Sequence, residues 1–276
     1  MRRFFVFVFF ISVYSAKSQY YFKDIILTRQ NQQNWKLYHD KKVREVDIHS
    51  LDANNEPTPG FVCTQRVTGD FSTITTFTKS SDIAASTLQA YYEPRGWLIK
   101  TVDTSDTFNS TTEYTYNEKG DVLSMTNTSL ETDNHVMAVE KHLWTYSNGI
   151  PKQMTKIKGE TDTTLVNFLA DEKGNIIEER SVRGGVALPT VYYYYNADSK
   201  LTDIVRYNQK AGRLLPDYVF EYNYDRISSM LFVQPRSSDY QKWIYTYNSA
   251  GLKEGETCYD KKKQIVVKIS YTYNYQ

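Results

Sequence analysis

The chain has 276 residues, with 33 Lys plus Arg balanced by 32 Asp plus Glu, 24 Tyr, four His and two Cys. A near-neutral balance excludes the concentrated positive surface that phosphate-backbone binding needs, so nucleic acid is not an expected partner. The length suffices for one large β domain.

Met1-Arg2-Arg3, the apolar run Phe4 to Val13 and the small residues Ala16 and Ser18 form the three parts of a secretory signal peptide, with cleavage expected after Ser18. The apolar run is about half of the roughly 20 residues that a membrane-spanning helix needs, so no membrane span is expected in the mature chain. Export to the periplasm, the outer surface or the medium is the expected destination. Removing residues 1–18 takes Arg2, Arg3 and Lys17 away and leaves slightly fewer bases than acids.

Residues 19–84 read as an irregular N-terminal β segment that caps the rest. Trp35 to Val43 reads as a divergent turn, with Tyr38 and Val43 flanking it. Asn54-Asn55-Glu56-Pro57-Thr58-Pro59-Gly60 is a loop by composition, and Thr73 to Thr78 a Thr-rich strand. Ser81 to Tyr92 fits a capped helix or a strand, and a strand is expected over its second half. No Gly/Ser-rich linker marks a second domain.

From residue 85 to 276 one phrase recurs: aromatic, any residue, aromatic, Asn or Asp, two residues, Gly. Tyr114-Thr115-Tyr116-Asn117-Glu118-Lys119-Gly120 and Tyr245-Thr246-Tyr247-Asn248-Ser249-Ala250-Gly251 are its clearest copies, with Phe168 to Gly174 looser. Alternate aromatics share one face of a strand. Asn or Asp opens a type I turn and Gly takes the left-handed position three residues later, so the phrase spells strand, tight turn, strand. In the copy at Tyr92, Pro94 stands at the second turn position, and Asn148-Gly149 offers a two-residue hairpin. The second aromatic position recurs at intervals of 23–30 residues, about eight times. These units resemble the YD repeats of the Rhs-type family, as in Tyr116-Asn117 with Gly120 and Val122; literal Tyr-Asp occurs at Tyr224-Asp225 and Tyr259-Asp260. The resemblance implies β-sheet spirals, shells or cell-surface modules, for which carbohydrate binding has been proposed. The expected fold is all-β: an antiparallel meander of hairpins forming a strongly curved or coiled sheet with the tyrosine stripe inside.

Candidate chemistry is sparse. Asp47 and His49 share a strand face without a third metal ligand, and His135 and His142 around Glu140 match no metal spacing. Glu178 and Glu179 are strand neighbours on opposite faces, unable to act as an acid–base pair by themselves. Lys261-Lys262-Lys263 reads as a solvated hairpin tip. No cofactor, metal or catalytic residue is expected. Cys63 and Cys258 persist after export, where a disulfide is permitted; two unpaired buried thiols is the favoured reading. Val191-Tyr192-Tyr193-Tyr194-Tyr195 puts Tyr192 and Tyr194 outward if Tyr193 and Tyr195 point in, a pair of rings able to stack on sugars, although a strand covered on both faces explains them better. The leading expectation is therefore an exported non-enzymatic binding or structural module of the cell envelope, with a glycan or another envelope protein as partner. A secreted polysaccharide hydrolase and an outer-membrane β-barrel are the alternatives. Against the barrel stands the lack of an apolar outer band on return strands such as Leu252 to Tyr259, neither face of which is continuously apolar.

Overall fold

The structure, a computed structural model, describes residues 19–275 except 82, 107, 132–135 and 235–238. A π-helical turn, Tyr21–Ile26, runs into α1 (Leu27–Lys41). The first strands are β1 (Val43–Leu51), β2 (Val62–Val67), β3 (Thr73–Ser80), β4 (Ile83–Tyr92), β5 (Leu98–Ser105) and β6 (Phe108–Tyr116). Then come β7 (Val122–Glu131), β8 (Val136–Ser147), β9 (Ile150–Lys158), β10 (Asp162–Ala170), β11 (Ile176–Arg183) and the two-residue β12 (Val186–Ala187). The last are β13 (Val191–Tyr195), β14 (Leu201–Asn208), β15 (Arg213–Asn223), β16 (Arg226–Val233), β17 (Tyr240–Tyr247), β18 (Lys253–Asp260) and β19 (Ile265–Tyr275).

Successive strands pair antiparallel, β12 being a short addition in the connection from β11 to β13. The decisive pairing is the last. On β1, Ile48 lies opposite Cys63 of β2 on one side and Tyr271 of β19 on the other, so the meander closes into an 18-strand barrel. Closure leaves the wall no free edge. The expected curved meander is present, with its aromatic stripe inside, but it is a barrel rather than an open coil.

The repeat phrase builds one local device. Asn117 accepts at its carbonyl from the Gly120 amide at 3.0 Å, while its side-chain oxygen accepts from the Lys119 and Asp121 amides, both at 2.9 Å. Gly120 has φ +85°, and an added Cβ would lie 3.0 Å from the Trp97 ring, so the position needs glycine for conformation and for space. Asp171 repeats the arrangement with Lys173 and Asn175. Ser199 and Lys263 hold the same left-handed position, at φ 59° and 60°, in turns without glycine. A register shift between Thr115 and Tyr116 follows the bulge that accompanies such a turn, and it recurs between Tyr194 and Tyr195 and between Thr246 and Tyr247.

The second aromatic has its own role. The Tyr116 hydroxyl donates to the Leu98 carbonyl at 2.6 Å, at the start of the preceding return strand. Tyr146 does the same to Val122, Tyr195 to Ile176, Tyr247 to Ile227 and Tyr273 to Lys253, at 2.7–2.9 Å; in the copy ending at Tyr224-Asp225 the ring that bonds is instead the first aromatic, Tyr222, to Leu201 at 2.8 Å, and Tyr224 is exposed. Each ring thus fastens its unit to the one before. In the copy at Phe168 this position is Ala170, which has no hydroxyl to give.

Residues expected to form a divergent turn between Tyr38 and Val43 instead end a helix, with Lys42 at φ 58° as its left-handed cap. That helix crosses the lumen. Its beginning meets one side of the wall, with Tyr21 edge-on to Tyr193 and Phe22 against Tyr218 and Phe220. Its end meets the other: Trp35 Nε1 donates to the Phe71 carbonyl at 2.7 Å and stacks on Tyr92, and the Tyr38 hydroxyl donates to Gln65 at 2.8 Å. A wall of 18 strands is wide enough for an open channel; here a helix and inward rings occupy the space.

Inner and outer faces differ sharply. Inward positions carry the buried core, including Trp144, Val166, Tyr193, Ile204, Phe220, Trp243 and Ile269. The outer face alternates with them in register. One row runs Tyr91, Lys100, Glu113, Thr126, Lys141, and another Ile244, Thr257, Lys268.

Candidate functional site

The polar groups that matter lie inside, where strand residues meet the helix. Glu179 on β11 is fully buried, while its neighbours Glu178 and Arg180 pair with each other on the outer face. Its Oε1 accepts from the Gln19 amide at 2.7 Å, and its Oε2 accepts from the Tyr21 amide at 3.0 Å and the Tyr193 hydroxyl at 2.8 Å. Burial pushes the Glu179 carboxyl up, and those donors only partly offset it. Beside it, the Gln19 side-chain amide donates to Asp217 Oδ2 at 2.6 Å, and Arg206 grips Asp217 with two bonds of 2.6 and 2.8 Å.

A second cluster sits further along the helix. His142 Nδ1 lies 2.6 Å from Asp24 Oδ2 and Nε2 lies 3.0 Å from Glu140 Oε1; Glu140 also pairs with Lys156 at 2.7 Å. Trp144 Nε1 donates to the same Asp24 oxygen at 3.3 Å, and Tyr20 packs edge-on to the imidazole. Burial alone would depress the His142 pKa, but the Asp24 and Glu140 carboxylates raise it to about 9. Burial opposes ionisation of Glu140 as well, yet His142 and Lys156 hold it at about 2. With a carboxylate on each ring nitrogen, His142 is an imidazolium that has no free nitrogen to take a proton. The cluster therefore clamps the helix, and the imidazole itself is not available there as a general base.

A third cluster centres on Glu256, which is buried against the Tyr271 hydroxyl, with Lys253 Nζ at 2.7 Å. The clusters tie the helix or neighbouring strands together rather than converging on a cleft. No group of three or more potential metal ligands occurs among the described residues. One recess among the described residues, about 530 Å³, is lined by Tyr224, Asp225, Arg226 and Tyr247.

The sequence-predicted positions fall as follows. Tyr192 and Tyr194 are on the outer face and Tyr194 is 47 % exposed, whereas Tyr193 is buried. The strand is thus uncovered outside, contrary to the preferred expectation. Cys63 and Cys258 are buried free thiols on β2 and β18, which β1 and β19 separate. Three strand spacings, about 14 Å along the wall, are beyond the reach of a disulfide. Burial raises both thiols, Cys258 to about 12. His49 is exposed beside the half-buried Asp47, His39 stacks on Trp35, and Lys261 to Lys263 form an exposed tip. His135 lies outside the described residues. The interior role of Glu179, Asp24 and His142 went unread in the sequence; the one signal was Glu140, His142 and Trp144 on a single strand face.

No family model matches the sequence, and no curated protein matches it either. Among solved structures, a porin-like protein from Bacteroides uniformis is similar at 9 % identity and TM-score 0.45, covering 85 % of this chain and 97 % of that one. A protein of unknown function from the DUF3598 family of Nostoc punctiforme gives 8 % identity and TM-score 0.18, covering 87 % of this chain and 98 % of that one. At TM-scores under 0.5 these likenesses carry no weight for fold or function.

Proposed function

We propose that this chain is an exported β-barrel of the cell envelope, plugged by its own helix, that works as a structural or binding module rather than as a pore or an enzyme. Closure of the wall supports a barrel over an open carbohydrate-binding array. The observation that carries the reading is the polarity of the two faces: rings and aliphatics line the inside, and the outside bears Thr with charges such as Lys141, Arg180, Lys242 and Lys268 within the strands. A lipid-facing wall needs an apolar outer band, and each Lys or Arg at the bilayer midplane costs about 2–4 kcal/mol. A wall of this composition suits water. Its exposed apolar side chains gather partly on β10 to β14, where Leu169, Tyr194 and Tyr207 are exposed, and this strip with Tyr192 is the surface we assign to a partner.

The second reading, an outer-membrane barrel, is favoured by the even, edgeless 18-strand closure. Fractionation of cells expressing the full chain separates the two. Recovery in the periplasm or medium without detergent is expected; recovery only with detergent from the outer membrane would overturn the water-facing wall. Planar-bilayer recordings should show no conductance, because the helix fills the lumen.

A further inference from the structure

Gln19, the residue that follows the expected cleavage point, is 1 % exposed. Its backbone nitrogen lies 2.7 Å from the Glu179 carboxylate, and its side-chain amide is bonded to Asp217. Its φ is +77°, a left-handed value that a glutamine inside a continuous chain adopts only under strain. Once the preceding peptide bond is gone, no carbonyl precedes that nitrogen and the restriction disappears. A buried carboxylate at this point also has a defined need, since a buried charge is stable when paired and hydrogen-bonded.

We propose that signal-peptide removal creates an α-ammonium group at Gln19 that Glu179 receives as a buried ion pair, locking the helix across the barrel. The proposal rests on the exported reading. Hydrolysis adds one water across the Ser18–Gln19 amide: oxygen goes to the Ser18 carboxylate, and the released amine takes up a proton. At neutral pH the α-amino group carries that proton, so the neutral amide donor to Glu179 becomes a cationic one and an ion-pair attraction is added to the hydrogen bond. The same geometry protects the terminus. A free N-terminal glutamine loses ammonia when its amine attacks its own side-chain amide carbon; here the nitrogen is held protonated by Glu179, and the amide is drawn away to Asp217.

The test uses the protein exported by cells with its own leader. N-terminal sequencing and intact mass should show a chain that begins at Gln19 and retains the full mass of an uncyclised glutamine. A mature start elsewhere, or a mass lower by one ammonia, overturns the proposal. A leader retained on a chain that never leaves the cytoplasm would instead overturn the exported reading. A refolded chain with one alanine ahead of Gln19 serves as a second measurement, independent of export and of any Glu179 variant's ability to fold. Its Tm should fall by about 6–20 °C relative to the chain starting at Gln19, the range for breaking a buried ion pair in a domain of this size. In an E179Q background the same alanine should shift Tm by under a third as much. Equal Tm values for the two wild-type forms would overturn the proposal.

Discussion

Replacing Asp24 by Asn keeps the shape of a buried side chain and removes one of the two carboxylates that hold His142 protonated, 2.6 Å from its ring. In the folded protein His142 titrates near 9, against 6.5 for an exposed histidine. A folded-state pKa raised in this way contributes stability that is fully present below about pH 6.5 and is lost as pH rises through about 9. At about 1.36 kcal/mol per pH unit the displacement is worth ~3 kcal/mol, or roughly 6–12 °C in Tm for a domain of this size. Wild-type protein followed by thermal or urea unfolding should therefore lose stability across pH 6.5–9. D24N should be less stable at pH 6 by about 3–5 kcal/mol, because one partner of a buried ion pair is gone, and its alkaline decline should be much shallower. Parallel pH profiles for the two proteins would refute the assignment of His142 as a buried imidazolium.

Four further outcomes follow from the geometry. Tyr222→Phe removes the hydroxyl that reaches the Leu201 carbonyl at 2.8 Å and should cost about 1–2 kcal/mol by urea unfolding, whereas Tyr224→Phe, 90 % exposed, should be neutral. Gly120→Ala should destabilise more than Gly149→Ala, since both have positive φ but only Gly120 faces a ring at 3.0 Å; Lys263→Gly should raise stability by up to about 1 kcal/mol by removing left-handed strain. Neither Cys63 nor Cys258 should react with iodoacetamide in the native protein, with both labelled in denaturant, and a reductant should leave Tm unchanged.

The hairpins were legible because each is a local event. Asn117 and Gly120 lie within four residues, and the alternation of Tyr114 and Tyr116 reports a buried face before any partner strand is known. Strand β4 was half legible, its second half read as extended. The helix was not. Its surface touches the wall on several sides through polar and aromatic groups alike: Gln32 to Tyr116, Trp35 to Phe71, Tyr38 to Gln65. No single apolar stripe is written into Leu27 to Lys41, whose centre reads Gln30-Asn31-Gln32-Gln33-Asn34. Closure was equally hidden, for it depends on Val46 meeting Tyr273 across most of the chain, a pairing with no local signature. Glu179 was correctly read as facing away from Glu178, but only the helix lying behind it makes that inward carboxylate a site.

The tyrosine fastenings all point one way. Each hydroxyl reaches back to the unit already made, from Tyr116 through Tyr273, so in a chain synthesised N-terminus first each of these joints closes onto a segment made just before it. Such a chain can zip shut behind itself without waiting for its end. The exception is the seam where β19 meets β1, which no tyrosine of this series spans and which joins the oldest strand to the newest. Tyr38, edge-on to Tyr273 at 6.2 Å, is there to meet the last strand when it arrives. Through Tyr38 the helix therefore touches both sides of the seam, Gln65 on β2 and Tyr273 on β19, and so holds the two ends of the wall at one circumference.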